Sequence, residues 1–120
     1  MALYTKSIAL PVEKSDGKRI CIMRKPDAGA KYDLWISELS PSPELREKTK
    51  QGIGWEKFKI EFEKELQGKE AQKALKKLIE MSENHDITIM CIEPDPNFCH
   101  RSLVAQVCQK LNPKLKVIIK

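Results

Sequence analysis

Apolar positions along the 120-residue chain fall into segments of two periods. Residues 3–10 and 18–24 are rich in β-branched and apolar side chains, which is the pattern of extended chain, and Asp16-Gly17 between them is a turn signal. The pair predicts a hairpin, with a connection longer than a tight turn because Pro11 and the charged residues Glu13, Lys14 and Asp16 intervene. Ser40-Pro41-Ser42-Pro43 then punctuates the chain. Ser42 followed by Pro43 is a cap with proline at the first helical position, which predicts a short helix over 43–50, broken at 51–54. Trp55, Phe58, Phe62 and Leu66 recur at helical spacing, with lysines and glutamates on the rest of the wheel. Gly68 suits the end of that helix, and Ala71, Ala74, Leu75, Leu78 and Ile79 stripe another over 69–82. The aromatic stripe is core by this pattern and is assigned no chemistry.

The last third of the chain has the sharpest pattern. Residues 86–92 form a short, almost wholly apolar run expected of a strand buried on both faces, and residues 115–119 form a second. Between them a periodic segment over 99–111 ends at Asn112-Pro113. A strand, loop, helix and strand in that order make a parallel crossover. The expected fold is therefore α/β: one domain over residues 1–120, helices packed on a small and at least partly parallel sheet, with a Rossmann-like β-α-β unit at the C-terminus.

Composition narrows the class. Lys and Arg number 22 against 17 Asp and Glu, a formal charge of +5, and 41% of residues are hydrophobic. A chain of this size builds a core without needing disulfides or a metal, and collagen, low-complexity and coiled-coil classes are excluded. No apolar run approaches the ~20 residues that span a bilayer. Lys6, Glu13, Lys14, Asp16 and Lys18 interrupt any secretory apolar region, so a cytoplasmic protein with no membrane partner is expected. Opposite charges interleave through 44–77 as on a solvated face, and the net positive charge suits anionic partners, a small anionic molecule or, less expected, nucleic acid. The pattern leaves the oligomeric state open. Four cysteines in such a chain are expected as thiols, metal ligands or redox groups rather than as a disulfide framework.

Chemistry-bearing residues gather at 91–102, where Cys91, Glu93, Asp95, Cys99, His100 and Arg101 lie between a strand end and a helix start. Open parallel sheets bind ligands at that place. Unpaired N–H groups of a helix start favour an anion, and Arg101 in the first turn adds a clamp. The same field lowers a thiol from its ordinary ~8.5 and favours thiolate at Cys99. Expected roles follow: Arg101 and the helix N–H groups hold an anion, Glu93 is acid or base, His100 is an orienter or proton carrier, and Cys99 or Cys91 is a nucleophile. Arg24 and Lys25 approach from the neighbouring strand. Arg101→Ala is expected to remove ligand-induced stabilisation and leave the fold intact.

Taken one at a time, these residues have plainer explanations: Cys91 as packing, Glu93 and Asp95 as loop solvation, His100 as a satisfied core histidine. Their convergence is what points to a site. Neither a Cys-x5-Arg cradle nor a glycine-rich phosphate loop is present. Zinc on Cys91, Cys99 and His100 with Cys21 as a fourth ligand is a minor reading, because Cys-x7-Cys-His is neither finger nor ribbon spacing. No metal ligand set is assigned and no cofactor is implied. A redox-sensitive Cys91–Cys99 disulfide is a third possibility, and a non-enzymatic nucleic-acid-binding or adaptor domain with structural cysteines is the alternative class.

Two stretches carry a family likeness. The first is Leu34-Trp35-Ile36-Ser37-Glu38-Leu39-Ser40-Pro41-Ser42, continuing through Glu44-Leu45-Arg46 and Trp55-Glu56-Lys57-Phe58 to Glu65-Leu66. The second is Cys91-x-Glu93 followed by Cys99-His100-Arg101. Together they resemble the YeaO-like proteins and their wider bacterial and archaeal relatives, a domain family of unknown function. Where YeaO-like proteins carry Asp-Arg-x-Trp-Pro-Arg-Gly, this chain has Met23-Arg24-Lys25-Pro26-Asp27-Ala28-Gly29, without the Trp-Pro-Arg portion. The resemblance implies an α/β fold and a site at Cys91, Glu93, Cys99, His100 and Arg101. It supplies no reaction.

Overall fold

A computed structural model describes residues 2–26, 28–93, 95 and 98–120. Five strands, β1 (Ala2–Ser7), β2 (Lys18–Cys21), β3 (Leu34–Trp35), β4 (Ile87–Cys91) and β5 (Lys116–Ile118), form one sheet in the order β3-β2-β4-β1-β5. Every neighbouring pair is parallel. Helices α1 (Pro43–Lys50), α2 (Trp55–Glu65) and α3 (Lys69–Asn84) join β3 to β4, and α4 (His100–Leu111) joins β4 to β5. This is the expected α/β class, with the C-terminal β-α-β unit in place.

The predicted hairpin is not formed. β4 lies between β1 and β2 and pairs with both, so that Ile87 faces Leu3 on one side and Lys18 on the other. Residues 8–17 instead carry the chain from the carboxyl end of β1 back to the amino end of β2. Asp16-Gly17 closes that return against β4: Lys18 N–H donates to Asp86 O at 3.1 Å, and a Cβ on Gly17, at φ 62°, would stand 2.1 Å from the same oxygen. Only glycine tolerates both that φ and that approach. The turn signal was therefore real, but it marks docking onto a strand 70 residues away in sequence rather than a hairpin.

Strand alternation sorts the two faces. Leu3, Ile20, Ile22, Ile87 and Ile89 point to the helices and pack with Phe62, Leu75, Leu78 and Val104. All five residues of β4 are buried, which is why the chain spends its most apolar strand at the centre. α1 starts where the proline signal put it: Ser42 Oγ accepts from Leu45 N–H at 3.1 Å, and the Glu65 carboxylate holds Ser42 through its N–H and hydroxyl. The opposite face carries a small cluster of Ile8, Cys21 and Met90. Beside it lies a buried ionic group: Lys6 Nζ is 2.9 Å from Asp16 Oδ1 and 2.7 Å from Glu13 Oε1, and Arg19 pairs with Asp16. Burial opposes the Asp16 charge, yet the Glu13 N–H, Lys6 and Arg19 outweigh it and hold the carboxyl below its ordinary range. Burial likewise opposes the Lys6 charge, and Glu13 and Asp16 together raise it.

Candidate functional site

A wholly parallel sheet gathers all its carboxyl ends at one edge, and β4 is its middle strand. Cys91 is the last residue of β4, on the helix-facing side, and Cys99 is the N-cap of α4. Both are buried. Their sulfurs are joined as a disulfide, with the Cα atoms 7.4 Å apart. The thiol pair flanking the loop thus meets across it.

His100 begins α4. Its Nε2–H donates to Ile22 O at 2.7 Å, and its ring meets Phe62 edge-on at 5.6 Å. Burial pushes the imidazole down to about 4, against the pull of the Ile22 carbonyl and with the help of the positive Arg101 and Arg46. The ring is therefore neutral at physiological pH. Of its two expected roles, that of orienter fits this state, whereas a proton carrier needs a value near the working pH.

Arg101 is fully buried. Nη1 donates to Glu93 O at 2.5 Å and reaches Cys91 Sγ at 3.4 Å, while Nη2 donates to Lys120 O at 3.3 Å. Burial works against the guanidinium charge, and Glu93 and Asp95 work for it. The expectation that Arg101 is dispensable to the fold is corrected by this placement. One side chain ties the loop after β4 and Lys120 to α4, and its removal takes a donor from Glu93 O and Cys91 Sγ and, among the described residues, leaves Lys120 O with Thr5 Oγ1 alone.

The remaining predicted residues lie at the same edge. Glu93 is exposed, and the contact with Arg101 is made by its backbone oxygen. Arg24, just beyond β2, is half-buried and donates through Nε to Pro41 O at 3.0 Å; Lys25 is exposed. Pro94, Pro96 and Asn97 of the loop lie outside the described residues. Cys21 is on the wrong face for the four-ligand zinc arrangement: alternation along β2 sends Ile20 and Ile22 to the helices and Cys21 to the other side, against Ile8 and Met90. Cys108 sits in the core, where burial pushes its thiol up to about 12. Among the described residues, the donor atoms of Cys91, Cys99 and His100 come within 4.8 Å of one another, and no fourth Cys, His, Asp or Glu joins them.

Sequence reasoning missed two participants. Arg46 of α1 is exposed and close enough to act on His100. The aromatic stripe of α2, assigned to the core, is also the flank of the site. Phe98 meets Trp55 edge-on at 5.9 Å, Trp55 stacks on Phe58 at 5.3 Å, Phe58 on Phe62 at 5.7 Å, and Phe62 meets His100. The ring contacts thus connect Phe98 and His100, the two sequence neighbours of Cys99. A period of 3.6 shows that these side chains share a face, but which residues that face meets is decided by packing. Two surface hollows, one beside Lys48, Ile53 and Lys57 and one beside Gly17, Lys18 and His85, do not reach the cysteines.

A family model described as the active DUF488-N3 subclade matches residues 3–112, from β1 to the residue that caps α4. The chain belongs to the DUF488-N3a family. That match takes in every site residue named above and agrees with the resemblance to a domain family of unknown function. No curated protein and no solved structure matches the DUF488-N3a chain.

Proposed function

We propose that this DUF488-N3a protein is a thiol-dependent enzyme that acts on a small anionic molecule, such as a phosphate ester or nucleotide, with Cys91 as its nucleophile. The observation that carries the reading is the Arg101 guanidinium 3.4 Å from Cys91 Sγ, at the end of the central strand and beside the start of α4. A fixed cation in contact with a thiol favours the thiolate once the disulfide is reduced. Cys99 is the partner thiol, His100 orients the helix tip through Ile22 O, and Glu93 is the carboxylate at the rim. Arg24, Lys25 and Arg46 give that edge a positive field suited to an anion. The family's description as an active subclade supports an enzyme.

Two finer placements belong to the same proposal. The Trp35, Arg46, Trp55 and Phe58 pattern supports a position near the YeaO-like branch. No helix among the described residues is long and apolar enough to cross a membrane, and a reducing cytoplasm would keep Cys91 and Cys99 as thiols.

The test is alkylation of the reduced protein across pH ~5 to 9, resolved by peptide mass spectrometry against the denatured chain with its ordinary thiols near ~8.5. Cys91 should keep reacting at pH values where the denatured thiols have stopped, and Arg101→Lys should retain more of this than Arg101→Met. A Cys91 that reacts no faster than in the denatured chain sinks the nucleophile. For the anion, inorganic phosphate and a nucleoside monophosphate at constant ionic strength should raise the melting temperature of wild type but not of Arg24→Ala/Arg46→Ala. An absent or unchanged rise removes the anionic substrate.

A further inference from the structure

We propose that the reduced chain binds one thiophilic divalent cation, Zn2+ being the type, between Cys91 Sγ, Cys99 Sγ and the His100 nitrogen that does not face Ile22. The donors are of the right kind: two thiolates and an imidazole select zinc-like ions over hard cations. They are also on the right scale. Zinc–ligand bonds of ~2.0–2.3 Å place donors roughly 3.3–3.8 Å apart around a tetrahedron; one donor atom from each of the three residues lies within 4.8 Å of the others, and reduction of the disulfide frees the two sulfurs to part to that spacing.

Two further observations point the same way. The Cα atoms of Cys91 and Cys99 are 7.4 Å apart, wider than the ~4.4–6.8 Å over which a disulfide usually bridges two backbones. An ion between the sulfurs spans a wider pair than a direct bond does. The imidazole is also prepared for a metal: with Nε2–H donated to Ile22 O at 2.7 Å, the lone pair resides on Nδ1. A backbone carbonyl on the far nitrogen is the usual outer partner of a metal-bound histidine, fixing its tautomer and ring orientation.

The site differs from the four-ligand arrangement of Cys91, Cys99, His100 and Cys21 weighed as a minor reading of the sequence, because Cys21 faces away. Three protein ligands leave the fourth position for water or a substrate atom, the coordination of catalytic rather than structural zinc. Two thiolates balance the charge of the ion, and the Arg101 Nη1–H on Cys91 Sγ tempers the charge on that sulfur. Occupancy takes up the lone pair of Cys91, so a bound ion and an alkylated Cys91 exclude each other. This inference stands apart from the nucleophile, since either can hold without the other.

Co2+ is the probe, titrated anaerobically into the 120-residue protein reduced with a phosphine. The expected result is a thiolate-to-cobalt band with the intense visible bands of four-coordinate Co2+, saturating at one ion per chain and displaced by Zn2+. Cys91→Ser and Cys99→Ser should lose the thiolate band, and His100→Gln should weaken binding. Reduced wild type without such a band overturns the site, as does a band that survives in both cysteine variants. Should the variants fail to fold, wild type alone decides. Zn2+ must protect Cys91 and Cys99 from alkylation while leaving the slow reaction of Cys21 and Cys108 unchanged, and equal rates with and without Zn2+ overturn the proposal. Slow alkylation of the metal-free protein, by contrast, counts only against the nucleophile.

Discussion

Asp16→Asn removes one negative charge from the ionic group behind the sheet and changes almost nothing in shape. In the wild type the carboxylate takes Lys6 Nζ, Arg19 Nη1 and the Glu13 N–H, and the backbone oxygen of Asp16 accepts from Thr88 Oγ1 of β4 at 2.6 Å. Lys6 and Arg19 are 5% and 4% exposed. In the variant Lys6 keeps Glu13, whose side chain is 62% exposed, and Arg19 loses its carboxylate pair. Leaving a buried charge without its partner costs about 3–5 kcal/mol. At ~2.1 cal/mol/K of unfolding entropy per residue, a 120-residue chain should melt about 12–20 °C lower. Adding Lys6→Met should recover part of the loss, because the two sites share one interaction. The acid limb gives a second reading. The folded Asp16 pKa lies below its ordinary 3.8, so its contribution is complete above 3.8 and is lost as pH falls through the folded value. Lys6 is raised above 10.5, so its contribution is complete below 10.5 and is lost only as pH climbs past the raised value. Both are therefore present at pH 7, and Asp16→Asn should remove the carboxylate's share of the acid limb. Thermal and urea melts by circular dichroism measure this. A loss below ~1 kcal/mol at pH 7 would refute the reasoning and class the group with surface pairs.

Arg101→Ala should destabilise the fold by at least ~3 kcal/mol, because Glu93 O, Lys120 O and Cys91 lose a buried donor and a cavity opens; a wild-type urea midpoint would show that the anchor carries no weight. His100 is held at about 4 against an ordinary 6.5, so the folded chain binds fewer protons and stability falls as pH drops from 6.5 toward 4. His100→Gln should flatten that limb. An NMR titration of the His100 ring with a midpoint near 6.5 would contradict the buried neutral state.

Local chemistry settled a good deal before any packing. The Ser42-Pro43 cap, the α2 and α3 stripes and the stop at Asn112-Pro113 each depend on residues within a turn or two, and all four helices stand close to where the pattern put them. The strand over 86–92 was legible because burial on both faces leaves an unbroken apolar run, though the paired strand is shorter, Ile87–Cys91. The helix-tip cluster was legible for the same reason: the end of one element and the start of the next are close in sequence, and parallel sheets put ligands there. Tertiary structure decided everything that depends on partners far along the chain. β4 slid between β1 and β2 and replaced a hairpin, since strand pairing is chosen by which strand must be buried and not by which is nearest. Cys21 went to the far face, Arg46 came within electrostatic reach of His100, and the α2 rings ran from Phe98 to His100. Arg101 found its partners in Glu93 and in Lys120, just beyond β5, and so became an anchor. A short-range pattern records the period of a segment and its polarity. It does not record the neighbour that each face will meet, and at this site the neighbours determine the charge state of His100, the company of Cys91 and the role of Arg101.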